Sequence, residues 1–224
     1  MKVFPFLVLG LLYFYSCTTS KLMTSSVQPS EVTELQWIEP YSQISLIEKG
    51  NQIKYNDSLS KVSKRLIKKV SESFKENLPL TSECMVSDTV LQRKLNKEIT
   101  SLFSLAIKMH NINNIKITPL IDSLLEASGK RFGLITISSG FTRVKGNFGK
   151  QVWKGAGVGL LTLGMYTQTP IKANSSLYAM IVDAKDDNIA FYKRSFLENK
   201  EPLEEDVLKK QFRDVFSGYF LAKE

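Results

Sequence analysis

One histidine, two cysteines and scattered acids are the conventional catalytic groups in this 224-residue chain. A Ser/His/Asp or Cys/His centre would have to use His110, which sits in the loop His110-Asn111 to Asn113-Asn114 after a helical stretch. A positive charge is tolerated near a helix end, and that is the simpler reading of His110. Zinc needs three or four His, Cys or acidic ligands, and this chain cannot assemble the usual set. Ser138-Ser139-Gly140 lacks the leading glycine of a nucleophile elbow, because Ile137 stands there. Asp183, Asp186, Asp187 and Asn188 suggest a calcium loop, but Lys185 falls on the third ligand place and no glycine on the sixth. A polar hairpin turn accounts for them. Gly155, Gly157 and Gly159 are spaced GxGxG, not GxGxxG, and no Gly-Lys-Ser/Thr follows, so a phosphate loop is not expected. No spaced acid pair suits glycoside hydrolysis. The sequence therefore assigns no catalytic residue, no cofactor and no metal, and the expectation is a protein that is not an enzyme.

Cys17 is the residue whose chemistry can be read. Residues 1–16, MKVFPFLVLGLLYFYS, carry one positive charge at Lys2, an apolar run from Val3 to Tyr15 and the small Ser16. That is the layout of an export signal peptide. The run is shorter than the roughly 20 apolar residues of a membrane span. A small residue directly before a cysteine resembles the lipobox of bacterial lipoproteins, although Phe14 and Tyr15 stand where that family usually has Leu or Val and a smaller residue. The resemblance implies cleavage before Cys17 and acylation of Cys17, for example by palmitate, which would seat the chain on a lipid bilayer. An ordinary secretory signal and an uncleaved anchor are the alternatives. Thr18-Thr19-Ser20-Lys21 holds no acid; in lipoproteins an Asp there can direct inner-membrane retention and acidic clusters surface display. This favours an outer membrane, on its periplasmic side. With Cys17 lipidated, Cys84 has no partner, so no disulfide is expected and Cys84 reads as a small, partly buried side chain.

Composition is that of a globular protein, with 43% hydrophobic and 23% charged residues. About two hundred residues beyond the leader suffice for one well-cored domain or two small ones. The net charge of +8 would invite nucleic acid in a cytoplasmic protein. In an exported one it points to anionic headgroups, lipopolysaccharide phosphates or an acidic protein partner.

The elements follow from periodicity. Residues 17–33 are rich in Ser and Thr and read as an acylated cysteine followed by a flexible tether, with one domain over 34–224. Leu35, Trp37, Ile44 and Leu46 mark a strand with a kink or break at Pro40, and Lys49-Gly50-Asn51 turns it into a hairpin with 52–55. Asp57 or Ser58 caps a helix with Leu59, Val62, Leu66, Val70 and Phe74 on one stripe. A second helix from about Ser87 carries Leu91, Leu95, Ile99, Leu102, Ala106 and Met109. Ile115 to Ile117 reads as a short strand. Thr118, Pro119 and Gly129 bound a third helix, which feeds the buried strand 133–138. Residues 176–183 and 189–196 form a hairpin. Pro202 opens a last helix with Glu204, Glu205 and Asp206 in its first turn and Leu208, Phe212, Val215 and Tyr219 along one face. The order predicts one α/β domain, a single mixed sheet with long helices packed on it.

With Cys17 as anchor, the leading strand and helix over 36–77, TPLIDSLLEASGKRFGLITISSG at 118–140, the hairpin SSLYAMIVDAKDDNIAFYKRS at 175–195 and the terminal helix, the chain resembles a group of bacterial envelope lipoprotein domains. That group includes the curli-secretion lipoprotein, the activator lipoproteins of penicillin-binding proteins, and the N-terminal domain of the Tol translocation protein. The resemblance covers most of 34–220 by pattern, without a signature motif. It implies docking to another envelope protein, in assembly, secretion or maintenance, without a shared catalytic site. The secretion lipoprotein's long membrane-inserting hairpins have no counterpart. Two surface readings accompany it. Gly155, Gly157 and Gly159 interleave with apolar residues between Trp153 and Tyr166, and read either as a packed sheet cover or as a segment contacting partner or membrane. Lys61, Lys64, Arg65, Lys68 and Lys69 give the first helix a basic face, solvated by default or turned to anionic envelope surface. The alternative functions are a cell-envelope glycan-binding module or hydrolase with an unrecognised site, and a self-associating subunit.

Overall fold

The fold is built on one long strand. In the computed structural model, which describes residues 22–49, 51–109, 111–152 and 170–222, the buried run expected at 133–138 extends to strand β6 (Phe132–Arg143). Its neighbours are β1 (Met23–Thr24), β2 (Leu35–Ile38), β3 (Tyr41–Ile47), β4 (Ile53–Tyr55), β5 (Leu80–Cys84), β7 (Asn174–Asp183) and β8 (Asn188–Glu198). Together they form one mixed sheet of eight strands, ordered β1-β8-β7-β6-β2-β5, with β3 also beside β6 and β4 beyond β3. The expected α/β class with a single mixed sheet is what the chain adopts.

β2 and β3 run parallel to the two halves of β6. Trp37 pairs with Leu134 and Tyr41 with Ile137, so four steps oppose three. The extra residue falls at Glu39-Pro40, where proline has no N–H to give the ladder. The sequence kink is thus a bulge that lets one extended segment follow β6 along its whole length.

Helices α1 (Asp57–Glu72), α2 (Thr89–Lys108), α3 (Pro119–Ser128) and α4 (Glu205–Phe216) cover the two faces. Side chains alternate along β6, so Phe132 and Leu134 enter one core and Ile135 and Ile137 the other. The first core takes Ile67 and Val70 of α1 and Leu208, Phe212, Val215 and Phe216 of α4. The second takes Leu95, Ile99, Leu102, Phe103 and Ala106 of α2 and Ile121 and Leu125 of α3. The result is three layers, helix on sheet on helix.

Four local expectations need correction. First, residues 22–33 do not all form a tether: Met23–Thr24 pair with β8, and Val27 and Val32 are buried against the first core. Two valines five positions apart show no period, so only tertiary packing reveals them. Second, α1 is capped by Asn56, whose Oδ1 accepts from the Leu59 N–H at 3.0 Å. Third, its buried face is Ser60, Ser63, Ile67, Val70 and Ser71; of the expected stripe Val70 and Phe74 are buried, while Leu59, Val62 and Leu66 are only half-buried. Small hydroxylated side chains let α1 lie close on the sheet: Ser60 Oγ accepts from the Ile44 N–H at 2.9 Å, and Ser63 and Ser138 hydroxyls bond at 3.0 Å. Fourth, Ile115 to Ile117 is not a strand; Ile115 and Ile117 are buried in loop backbone. By contrast α3 ends as read, with Gly129 in the left-handed region at φ 65°.

Candidate functional site

Among the described residues, no helix packs over half of one sheet face. The buried cluster under α2 and α3 ends at Ile137 on β6. Beyond it the same face continues through Ser139 and Phe141, which the register sets beside Gln43 and Ser45 of β3 and Ser176 and Asn174 of β7. Phe196 lies opposite Ser176, and Arg194 opposite Tyr178. These side chains line a groove of about 340 Å³, with Ile53 at its rim. Gly140 belongs to the same floor. A Cβ there would meet the Asn174 carbonyl oxygen at 2.2 Å, so only glycine permits this approach of β6 and β7.

A second groove of about 840 Å³ adjoins the first, and both include Gln43. It runs between β3 and α2 and is walled by Tyr41 on one side and Arg93, Asn96, Lys97, Thr100 and Ser104 on the other. The two make one continuous trough. Its rim is apolar and exposed at Ile53 and Leu105, at 65% and 47%.

The floor is ordered by stacking. The Arg194 guanidinium lies 5.1 Å from the ring centroid of Tyr178 and 5.1 Å from that of Phe196. Its Nη2 donates to Ser176 Oγ at 3.4 Å. Tyr178 is held from the other side by Phe103 of α2, ring to ring at 6.1 Å and near-perpendicular. Asn174 Oδ1 accepts from the Phe141 N–H at 3.1 Å. Burial, followed by the nearby Tyr55, pushes the Tyr41 phenol up, so it is a neutral hydroxyl at ordinary pH.

Among the described residues that line the trough there is no Asp, Glu, His or Cys. Among the described residues, no three such side chains gather as a metal cluster. What the trough offers is ring faces, hydroxyls, amides and the cations Arg93, Lys97 and Arg194. That set stacks, hydrogen-bonds and attracts negative charge.

Several acids are engaged elsewhere. Asp183 is fully buried and binds Arg131 through two bonds of 2.9 and 2.6 Å, and Asp187 pairs with Lys116 at 3.2 Å. The acidic turn between β7 and β8 is thus tied by basic side chains. The basic face of α1 is largely neutralised: Lys61 meets Asp57 at 2.7 Å, Lys64 meets Glu39 at 2.5 Å, Lys68 meets Glu83 at 2.5 Å, and Lys69 meets Glu205 at 2.5 Å. Cys84 is a free, half-buried thiol whose pKa is pushed up by burial and by Glu39 and Glu83, which makes it a poor nucleophile.

Cys17, His110, Trp153, Gly155, Gly157, Gly159 and Tyr166 lie outside the described residues. The trough was not anticipated. Its one sequence signal is the pattern after Ile137, where Ser139 and Phe141 put polar and aromatic groups on positions that had been apolar.

No protein-family profile matches this chain, and no curated protein matches it. Among solved structures, it is similar to the PelC dodecamer of Paraburkholderia phytofirmans in space group P6, at TM-score 0.39 and 5% identity over 92% of this chain and 99% of that one. A point variant of the same dodecamer in space group C2 gives TM-score 0.39 and 5% identity over 91% and 99%. Likeness at this level carries no argument about this chain. No helix among the described residues is long and apolar enough to cross a membrane.

Proposed function

We propose that this protein is an acylated envelope lipoprotein, anchored through Cys17 and working by binding, not catalysis. Its α/β domain would dock to another envelope protein in assembly, secretion or maintenance, on the periplasmic side of an outer membrane. The leader and the Ser16-Cys17 junction support the anchor. The observation that carries the binding role is the open trough, furnished for contact and lined by no acid, histidine or cysteine among the described residues. Leu22, the first described residue, follows Cys17 by five positions, and five residues reach at most about 18 Å. Acylation would therefore hold the β1 end of the domain close to the headgroups.

The test is affinity capture from native envelopes, with Cys17→Ala and a deletion of residues 153–168 as controls. The expected result is a defined partner recovered with the acylated chain, lost from the membrane fraction with Cys17→Ala, and weakened by the deletion if the segment between Trp153 and Tyr166 is a second contact. Membrane retention of Cys17→Ala at the wild-type level would refute the anchor. A deletion that fails to fold would return 153–168 to the core. Capture of the chain's own copies alone would favour self-association. A second reading, a glycan-binding module, is favoured by the half-exposed rings and amides of the trough floor.

A further inference from the structure

We propose that β4 is a self-pairing edge, through which two copies of this chain join their sheets across a two-fold axis at Lys54. Such pairing goes beyond docking to another envelope protein and needs no anchor at Cys17. Among the described residues β4 pairs with β3 alone. The register sets Tyr55 beside Ser45, Lys54 beside Leu46 and Ile53 beside Ile47. The Glu48 N–H donates to the Gln52 carbonyl at 3.0 Å, and the Asn56 N–H to the Ile44 carbonyl at 2.9 Å. Antiparallel bonds alternate, so Gln52, Lys54 and Asn56 turn their backbone groups to β3, while Ile53 and Tyr55 turn theirs outward. An outward row of donors and acceptors is a template for another strand.

The residues of β4 fit a second β4. A two-fold axis at Lys54 sets Ile53 opposite the partner's Tyr55, and Tyr55 opposite the partner's Ile53. Each of these pairs exchanges both of its N–H···O bonds in that register. Ile53 and Tyr55 share one face of the strand, at 65% and 53% exposure. An aromatic ring against a β-branched side chain is a favourable cross-strand pair. Lys54 lies on the other face. Opposed lysines repel and commonly guard an edge, but Lys54 already holds Glu48 at 2.8 Å. Two copies therefore set each cation beside an acid, and the joint is neutral. The edge is also held in place before it pairs. Asn147 Nδ2 donates to the Ile47 and Glu48 carbonyls at 3.4 and 2.9 Å, and Arg143 Nη1 to Asn51 Oδ1 at 3.1 Å. Asn56 caps α1 directly after Tyr55. A strand fixed at both ends loses little freedom on docking. Because Ile53 stands on the rim of the trough, the pairing sets two troughs side by side on one joint sheet.

The experiment joins native mass spectrometry of the detergent-solubilised full chain to disulfide trapping. The wild type should form a dimer with a dissociation constant of about 1–100 μM. Ile53→Lys with Tyr55→Lys changes two exposed side chains outside both cores. It should keep the wild-type circular dichroism and weaken the dimer at least about tenfold. Directly opposed residues in a non-hydrogen-bonded position lie about 4.5 Å apart at Cα, within disulfide reach. In a Cys17→Ala, Cys84→Ser background, Lys54→Cys should therefore cross-link to its copy under mild oxidation, and Gln52→Cys should not. A monomer throughout that concentration range would overturn the proposal, and so would a dimer that the double lysine variant leaves intact. Cross-linking of Gln52→Cys as readily as Lys54→Cys would overturn the register, and the two-fold axis with it.

Discussion

Tyr219 and Tyr192 are phenols placed where water does not reach. Burial first, then Glu31 and Asp183, pushes Tyr219 up to about 12. Burial and the neighbouring Tyr178 push Tyr192 still higher, against the opposing charge of Arg194. A phenol whose folded value exceeds its unfolded value near 10 contributes stability in full below about pH 10 and loses it as pH climbs through the folded value. The unfolding free energy should therefore be flat from about pH 8 to 9.5 and fall between about 10 and 12, by up to about 2 kcal/mol per phenol, with the urea midpoint falling in step. Tyr219→Phe, which also forgoes the bond to the Val27 carbonyl at 3.3 Å, should flatten part of that fall. A midpoint unchanged across the window would mean both rings are hydrated. Gln211 shows the same demand for satisfaction in the interior: fully buried, it donates to the Ser175 and Ser195 carbonyls at 2.9 and 3.2 Å and accepts from Ser175 Oγ at 2.6 Å.

At the scale of elements, the N-terminal segment departs most from its local signal. β1 has two residues, and the turn Pro29–Glu31 has three. Neither would persist alone, yet Val27 and Val32 are 5% and 3% exposed. Truncating both to alanine should lower unfolding free energy by about 3 kcal/mol, from lost burial plus the cavities left. A flexible tether would respond by less than about 0.5 kcal/mol. Urea titration of the double variant separates the two. Helix α1 teaches the complementary point. Its apolar residues Leu59 and Val62 are only half-buried, and its serines are inside, because the helix approaches β3 and β6 too closely for large side chains at Ser60 and Ser63.

For the whole molecule, the asymmetry between the sheet faces matters most. One face is closed by α1 and α4, with Phe74 in the turn after α1 and Phe212 of α4 ring to ring at 5.0 Å. Among the described residues the other is closed only as far as Ile137, since α2 and α3 both bear on the half where β2 and the start of β6 lie. Beyond Ile137 the described residues form the trough. Anchored at Cys17, the molecule would hold that trough near a bilayer surface. Mass spectrometry of protein made in its native envelope should find residues 1–16 absent and Cys17 carrying fatty acyl groups. An intact leader or an unmodified thiol would remove the address and leave the trough without its proposed setting.

The chain's own residues determined a good deal before any fold was known. Period-two and period-3.6 patterns placed β6, the β7–β8 hairpin, α2, α3 and α4, and Pro40 located the break between β2 and β3, because these depend on neighbours a few positions away. Tertiary structure alone decided which face of α1 is buried, that Val27 and Val32 belong to the core, and that α1's lysines meet acids from β5, α4 and the β2–β3 connection. It alone assembled the trough, because Gln43, Arg93, Phe141, Tyr178 and Arg194 lie on five different elements. Only strand register and helix placement put such distant residues on one surface.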